Sequence, residues 1–211
     1  ERDAGQEKAR RRGKRKETKG RPLLISLDKR EAGSRHRMKH VIVIGGGAAG
    51  MMAAAAAAQN GCRPVIYEKN EKLGKKIYIT GKGRCNVTND CDMETLFDSV
   101  VTNRRFLYSA FYGFTNQDMM ALVEGAGCHL KTERGGRVFP QSDKASDIIR
   151  ALTKILKDLD VEICLKEPVK ELLIEDGVCR GVVLERQKKK VYADAVIVAT
   201  GGMSYPTTGS D

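Results

Sequence analysis

The stretch Met38–Met52, MKHVIVIGGGAAGMM, decides the fold. His40 to Ile44 is a short β-branched run that ends at glycine, the pattern of a buried parallel strand. Ala48 to Gln59 follows, rich in alanine and methionine and closed by Asn60-Gly61, so it reads as a helix with its terminator. Pro64 to Tyr67 supplies a second strand, and residues 40–67 form a strand–helix–strand unit.

Between the first strand and the helix lies Gly45-x-Gly47-x-x-Gly50. The spacing alone is common, but here a strand precedes it, a helix follows it and an acid, Glu68, closes the next strand. Gly45 makes the tight turn, Gly47 lets a pyrophosphate approach the backbone, and Gly50 lets helix and strand pack closely. Gly46, Ala48 and Ala49 complete the loop, whose N–H groups face phosphate at the positive end of the helix. Glu68 is placed to accept both hydroxyl protons of an adenosine ribose and would repel a 2′-phosphate, which favours NAD or FAD over NADP.

The residues after Glu68 choose between those two. The segment KNEKLGKKIYITGKGRCNVTN, Lys69–Asn89, carries Gly74, Gly81 and Gly83 with many lysines and no apolar periodicity, so it reads as a loop suited to a cofactor longer than NAD. Lys69 lies beside the ribose acid, Lys75 and Lys76 can neutralise pyrophosphate, and backbone amides from Thr80 through Gly81 to Arg84 can approach a flavin ring. A solvated loop is the alternative for the lysines.

Helical patterns return at Arg104 to Tyr112 and after Thr115, where Thr115-x-x-Asp118 can form a capping box. Lys144 to Leu159 is amphipathic, with Ala145, Ile148, Ile149, Leu152, Leu156 and Leu159 on one face. Short strands follow at Val161–Leu165, Val169–Ile174, Val178–Glu185 and Lys190–Tyr192, and a last buried strand, Ala195–Ala199, runs into Thr200-Gly201-Gly202.

The formal net charge of +11 is uneven. Residues 1–37 carry 14 Lys/Arg against 6 Asp/Glu, a balance of +8, while the rest carries 24 against 21, a balance of +3. Without apolar periodicity or aromatic residues this tail is expected to stay disordered. It reads as a solvated tail, or as translated sequence ahead of a true start at Met38, rather than as a nucleic-acid grip, so nucleic acid is not expected as a partner. No apolar run reaches the roughly 18–20 residues of a membrane span and no signal segment is seen, so a cytoplasmic protein without membrane partners is expected. The six cysteines and three histidines do not fall at metal-ligand spacing, and reduced thiols are the default.

The motifs VIVIGGGAAGMMAA, YEKNEKLGKKIYITGKGRCNVTN, GRVFPQSDKASDI and VIVATGGMSYPTTGS together resemble the BaiN-like FAD-dependent oxidoreductases, also called aminoacetone-oxidase-like flavoproteins, from Met38 to Ser210. The distinguishing element is Gly83-Arg84-Cys85-Asn86 with Asn89. Lys82 departs from the small residue frequent in the family, a change expected to alter loop charge more than flavin binding. The resemblance implies an α/β fold, a Rossmann-like FAD-binding domain of the glutathione-reductase type spanning 38–211, with a helical insertion over about 92–127, a small β meander and a truncated C-terminal end. It implies non-covalent FAD at Gly45, Gly47, Ala49, Gly50, Glu68 and Lys76, an adenine contact from the backbone at Val169, and a return strand passing the cofactor at Thr200 and Gly201. It further implies NAD(P)H as electron donor and a small-molecule acceptor, such as a bile-acid enone, with amine oxidation as another family activity. Cys85 and Cys91 raise a second reading, a flavin disulfide reductase, although five residues separate them where such enzymes place four; a packed role for Cys85 near the flavin is the first reading. Outside enzymology, the alternatives are an RNA-associated flavoprotein and a fragment without catalysis of its own.

Overall fold

The computed structural model describes residues 37–203. The tail reading, Arg37 apart, and the SYPTTGS part of the last motif lie outside the described residues.

Strand β1 (His40–Ile44), helix α1 (Ala48–Gln59) and strand β2 (Arg63–Glu68) form as expected. α1 ends at Asn60, and Gly61 at φ 75° takes the left-handed position that releases the chain. Strands β1 and β2 pair in parallel, His40 opposite Arg63 through Ile44 opposite Tyr67.

The segment read as a loop is more structured than expected. A 3₁₀ segment covers Ile77–Gly83, broken by non-helical dihedrals from Thr80 to Lys82, and β3 (Thr88–Asn89) follows. The helical insertion comprises α2 (Met93–Asp98), a 3₁₀ turn at Arg104–Leu107, α3 (Tyr108–Gly113) and α4 (Asn116–Gly125). Thr115 and Asp118 make the capping box foreseen for α4.

Two strands absent from the sequence reading come next, β4 (Leu130–Glu133) and β5 (Arg137–Pro140), forming an antiparallel sheet in the order β3-β5-β4. Their hairpin turns at Gly135 and Gly136, both with φ above 70°, so a Gly-Gly turn signal was present in the sequence. Helix α5 (Ala145–Asp158) buries Ala145, Ile148, Ile149, Ala151, Leu152 and Leu156.

β6 (Glu162–Leu165) joins the parallel sheet beside β2 rather than the meander that follows. The meander consists of β7 (Val169–Glu175), β8 (Val178–Leu184) and β9 (Lys190–Tyr192), and β10 (Ala195–Val198) closes the main sheet in the order β10-β1-β2-β6. Alternation along β1 builds both layers. Val41 and Val43 face the core shared with Met51, Ala54 and Leu152, while Ile42 faces Val182 and Leu184 of the meander. The sheet is covered on one face by helices and on the other by the meander, so its strand ends are the available crevice.

Candidate functional site

Strand order reverses at β1, with β2 on one side and β10 on the other, and open α/β sheets bind ligands at such a switch point beyond the strand carboxyl ends. A cleft of about 500 Å³ opens there. It is lined by the end of β1 (Ile44, Gly45), the start of α1 (Gly47, Ala48, Ala49), the end of β2 (Tyr67, Glu68) and the return strand's exit (Ala199, Thr200, Gly201). Lys69, Lys75, Lys76, Thr80 and Val169 also reach it, so most of the residues singled out from the sequence converge on one wall system.

The glycine loop is locked before any ligand arrives. Gly45 N–H donates to the Tyr67 carbonyl at 2.8 Å, Gly46 N–H to Glu68 Oε2 at 2.6 Å, and the Gly46 carbonyl accepts from Gly74 N–H at 2.8 Å. Gly45 adopts φ +104°, and a Cβ there would press on the Ala199 carbonyl. A Cβ on Gly50 would collide with the Gly45 carbonyl oxygen, whereas a Cβ on Gly47 would meet nothing within 4 Å. Gly47 therefore borders open space where a ligand can approach the backbone. It is also the N-cap of α1 and gives no side-chain cap, and α1 has no acidic residue in its first turn. The first-turn N–H groups, which have no intrahelical acceptors, and the positive end of the helix dipole are left for an anion.

Glu68 is 7% exposed and held hard. Its Oε1 accepts from Asn70 N–H at 2.8 Å and Asn70 Nδ2 at 2.6 Å, while Oε2 accepts from Gly46. A carboxylate offers about four acceptor directions, and three of them are taken by these donors. Asn70 is thus a site residue the sequence reading missed. Its position two residues past the strand-closing acid was the available signal. Its Oδ1 accepts from Lys75 Nζ at 3.1 Å, and Lys75 also pairs with Glu71 at 3.5 Å. Tyr67 and Pro168 are further cleft residues unforeseen from the sequence. Burial, then the neighbouring Cys164, Glu162 and Glu167, push the Tyr67 phenol above its ordinary value, so it stays neutral.

Other predicted residues lie off the cleft wall. Gly46 stands behind the loop against Glu68 and Leu73, and Gly50 packs α1 onto β1. Gly81, Arg84, Cys85 and Asn86 form a bend next to Thr80. Arg84 donates to Asp143 and Glu133 instead of facing the cleft. In the orientation that satisfies its amide, Asn86 donates to the Thr88 carbonyl at 3.0 Å and the Val138 carbonyl at 3.2 Å. Cys85 is buried, and burial pushes its thiol up despite a hydrogen bond to Thr80. A buried protonated thiol is a poor redox nucleophile, which favours the packed role over the disulfide-reductase reading. All six cysteines are free, and among the described residues no cluster of His, Cys, Asp or Glu could hold a metal.

A glycine loop on a switch point, an uncapped helix start and a fixed acid at the end of β2 define a dinucleotide-binding Rossmann-type domain. The model of the HI0933-like protein Rossmann domain matches residues 39–211, and the chain belongs to that family, the BaiN/aminoacetone-oxidase-like FAD-dependent oxidoreductases.

Among curated relatives, the 3-dehydro-bile acid delta(4,6)-reductase of Clostridium scindens is 32% identical over 146 residues, covering 69% of this chain and 34% of that protein. The ribosomal RNA dihydrouridine synthase of Escherichia coli is 32% identical over 152 residues, covering 72% and 36%. The chain therefore spans about a third of the length of these relatives. Among solved structures, the 3-ketosteroid-delta4-(5alpha)-dehydrogenase of Rhodococcus jostii RHA1 aligns with a TM-score of 0.60 at 17% identity, over 82% of this chain and 48% of that one. Mycobacterium smegmatis Sdh1 aligns at 0.58 and 21% identity, over 79% and 34%. At these identities the likeness is one of fold.

Proposed function

We propose that this chain is the FAD-holding part of a reductase that moves hydride from NAD(P)H to a carbon–carbon double bond polarised by a carbonyl. The carrying observation is the open backbone at Gly47, beneath an uncapped α1 and beside the fixed Glu68 carboxylate. When bound, FAD supplies the hydride relay between donor and acceptor, and the protein contributes position and electrostatics. Gly47, Ala48 and Ala49 bind the pyrophosphate through backbone N–H groups. Glu68 Oε2 accepts one ribose hydroxyl, while Gly46 N–H on Oε2 and Asn70 on Oε1 hold the carboxylate in place. Val169 and Pro168 offer an apolar edge to the adenine, and Lys76 adds positive charge near the phosphates. Thr80, Thr200 and Gly201 border the flavin end.

Two relatives' names support the acceptor class. A delta(4,6) double bond beside a 3-dehydro carbonyl and the ring double bond lost in forming dihydrouridine are both conjugated to a carbonyl, so both accept hydride at the carbon remote from it. A small enone is the first reading, with the reaction in the cytoplasm. A second, in which the acceptor is a uracil ring in RNA, is favoured by two curated relatives named as ribosomal RNA dihydrouridine synthases.

The natural full-length protein, purified without added flavin, should show bands at about 370 and 450 nm. Under anaerobic conditions it should oxidise NADH or NADPH in step with a supplied 3-oxo-4,6-diene steroid or with ribosomal RNA lacking dihydrouridine. Turnover with only one acceptor selects between the readings. Flavin that no NAD(P)H reduces would contradict the donor assignment.

A further inference from the structure

The bend after Thr80 is built from unfavourable backbone. Gly81, Lys82, Gly83 and Cys85 have φ of 55°, 56°, 83° and 61°, so four of five consecutive residues are left-handed, two of them non-glycine. L side chains disfavour that region, and such a conformation persists only where surrounding contacts over-determine it. Thr80, on the near side of the bend, lines the cleft, while Asn86, on the far side, is tied to the β3 and β5 backbone. Something must therefore fix the middle.

Arg84 does so. Its Nε donates to Asp143 Oδ1 at 2.8 Å and its Nη2 to Glu133 Oε1 at 2.5 Å. Its guanidinium carbon lies 4.1 Å from the centre of the Phe139 ring, whose Cε1 in turn crowds the position a Cβ on Gly81 would take. Lys131 shares both acids, at 2.6 Å from Asp143 and 3.7 Å from Glu133, so two cations and two carboxylates form a balanced cluster. Glu133 lies on β4 and Phe139 on β5, while Asp143 sits just before α5. A planar, forked cation can bond two carboxylates in its edge and stack a ring on its face at once, which lysine cannot. Its charge is committed to these partners and is not offered to a flavin.

We propose that Arg84 is a positioning residue: it clamps the strained Thr80–Asn86 bend onto the β3-β5-β4 sheet and so sets the cleft wall that Thr80 presents to the flavin. The proposal rests on the reading that the cleft holds FAD.

The experiment uses the full natural chain with Arg84→Met and Arg84→Lys, in two measurements. Amide hydrogen exchange without FAD should accelerate by about ten-fold or more at Thr80–Asn86 in Arg84→Met, with β1 and α5 unchanged, and by less in Arg84→Lys. FAD affinity should fall about ten-fold in Arg84→Met, with loss of fine structure in the band near 450 nm. Unchanged exchange in the bend, exchange rising equally across the whole domain, or a loosened bend with wild-type FAD affinity and spectrum would each overturn the proposal. If wild-type protein binds no FAD, the cofactor reading and the flavin half of this proposal fail together, while the exchange result still decides the clamp. Should Arg84→Met not fold, Phe139→Leu removes the ring beneath the guanidinium, keeps both ion pairs and is read in the same way.

Discussion

Gly47 and Gly50 are the same residue type in one short loop, yet the fold asks opposite things of them. A methyl at Gly50 strikes the Gly45 carbonyl, so Gly50→Ala should destabilise the domain by roughly 1–3 kcal/mol, read by urea unfolding. A methyl at Gly47 meets open space and extended backbone at φ −77°, so Gly47→Ala should leave stability within about 0.5 kcal/mol while weakening FAD binding at least about ten-fold. Glu68 separates charge from scaffold in the same way. Glu68→Gln keeps an acceptor for Gly46 N–H but weakens the ribose contact, whereas Glu68→Ala strands the Gly46 and Asn70 donors and should cost about 1–3 kcal/mol of stability, measured by denaturant melts of both variants. The glycines and the acid were legible because spacing and context specify them. Asn70 was not, since an asparagine after a strand signals only a turn until the geometry shows which carboxylate it grips. Lys82 was legible as a departure, but its cost lies in a left-handed backbone, which sequence does not display. Lys82→Gly should stabilise the protein by roughly 0.5 kcal/mol, strain of about 1–2 released against 0.5–1 of added backbone entropy, measured by thermal melting of apo-protein.

At the scale of elements, periodicity served long segments and failed short ones. Helix α5 was readable because its buried face repeats over 14 residues. Strands β3, β4 and β5 are two to four residues long, too short for a period to emerge, and the Gly135-Gly136 turn announced only β4 and β5. The insertion is anchored by Asn116, 7% exposed, whose Nδ2 donates to the Asn89 and Cys91 carbonyls at 2.6 and 2.8 Å. Asn116→Ala leaves both carbonyls without that donor and should cost about 1–3 kcal/mol in unfolding free energy. The start of α5 carries a pH dependence. The Ser142 hydroxyl, and after it Arg150, hold the Asp147 carboxyl below the ordinary aspartate range. Because the native value lies below the unfolded one of about 3.9, this contribution is present above that pH and is lost as the pH falls through the native value. Amide exchange in the first turn of α5 should therefore rise on acidification below about pH 4 and recover on return to neutrality.

At the scale of the described domain, the layers leave a cleft at the strand ends, and the glycine loop, the strand-closing acid and the Thr200-Gly201 exit meet there. The order β10-β1-β2-β6 explains why: Gly45 and Thr200 follow, and Glu68 ends, three adjacent parallel strands, so residues more than 150 positions apart become neighbours. Sequence motifs identified these residues individually, and parallel pairing makes them one site. What could not be read in advance is which segments support the site rather than line it, because Arg84 and Asn86 belong to the most distinctive motif yet turn toward the small antiparallel sheet. Flavin stoichiometry reads out whether the cleft holds FAD over the open backbone at Gly47. Wild-type protein and Gly47→Val, purified side by side and matched in melting temperature, should carry about one FAD per chain and almost none, respectively. A variant that keeps its flavin, or a wild-type protein that never had any, would overturn the assignment of FAD to this cleft.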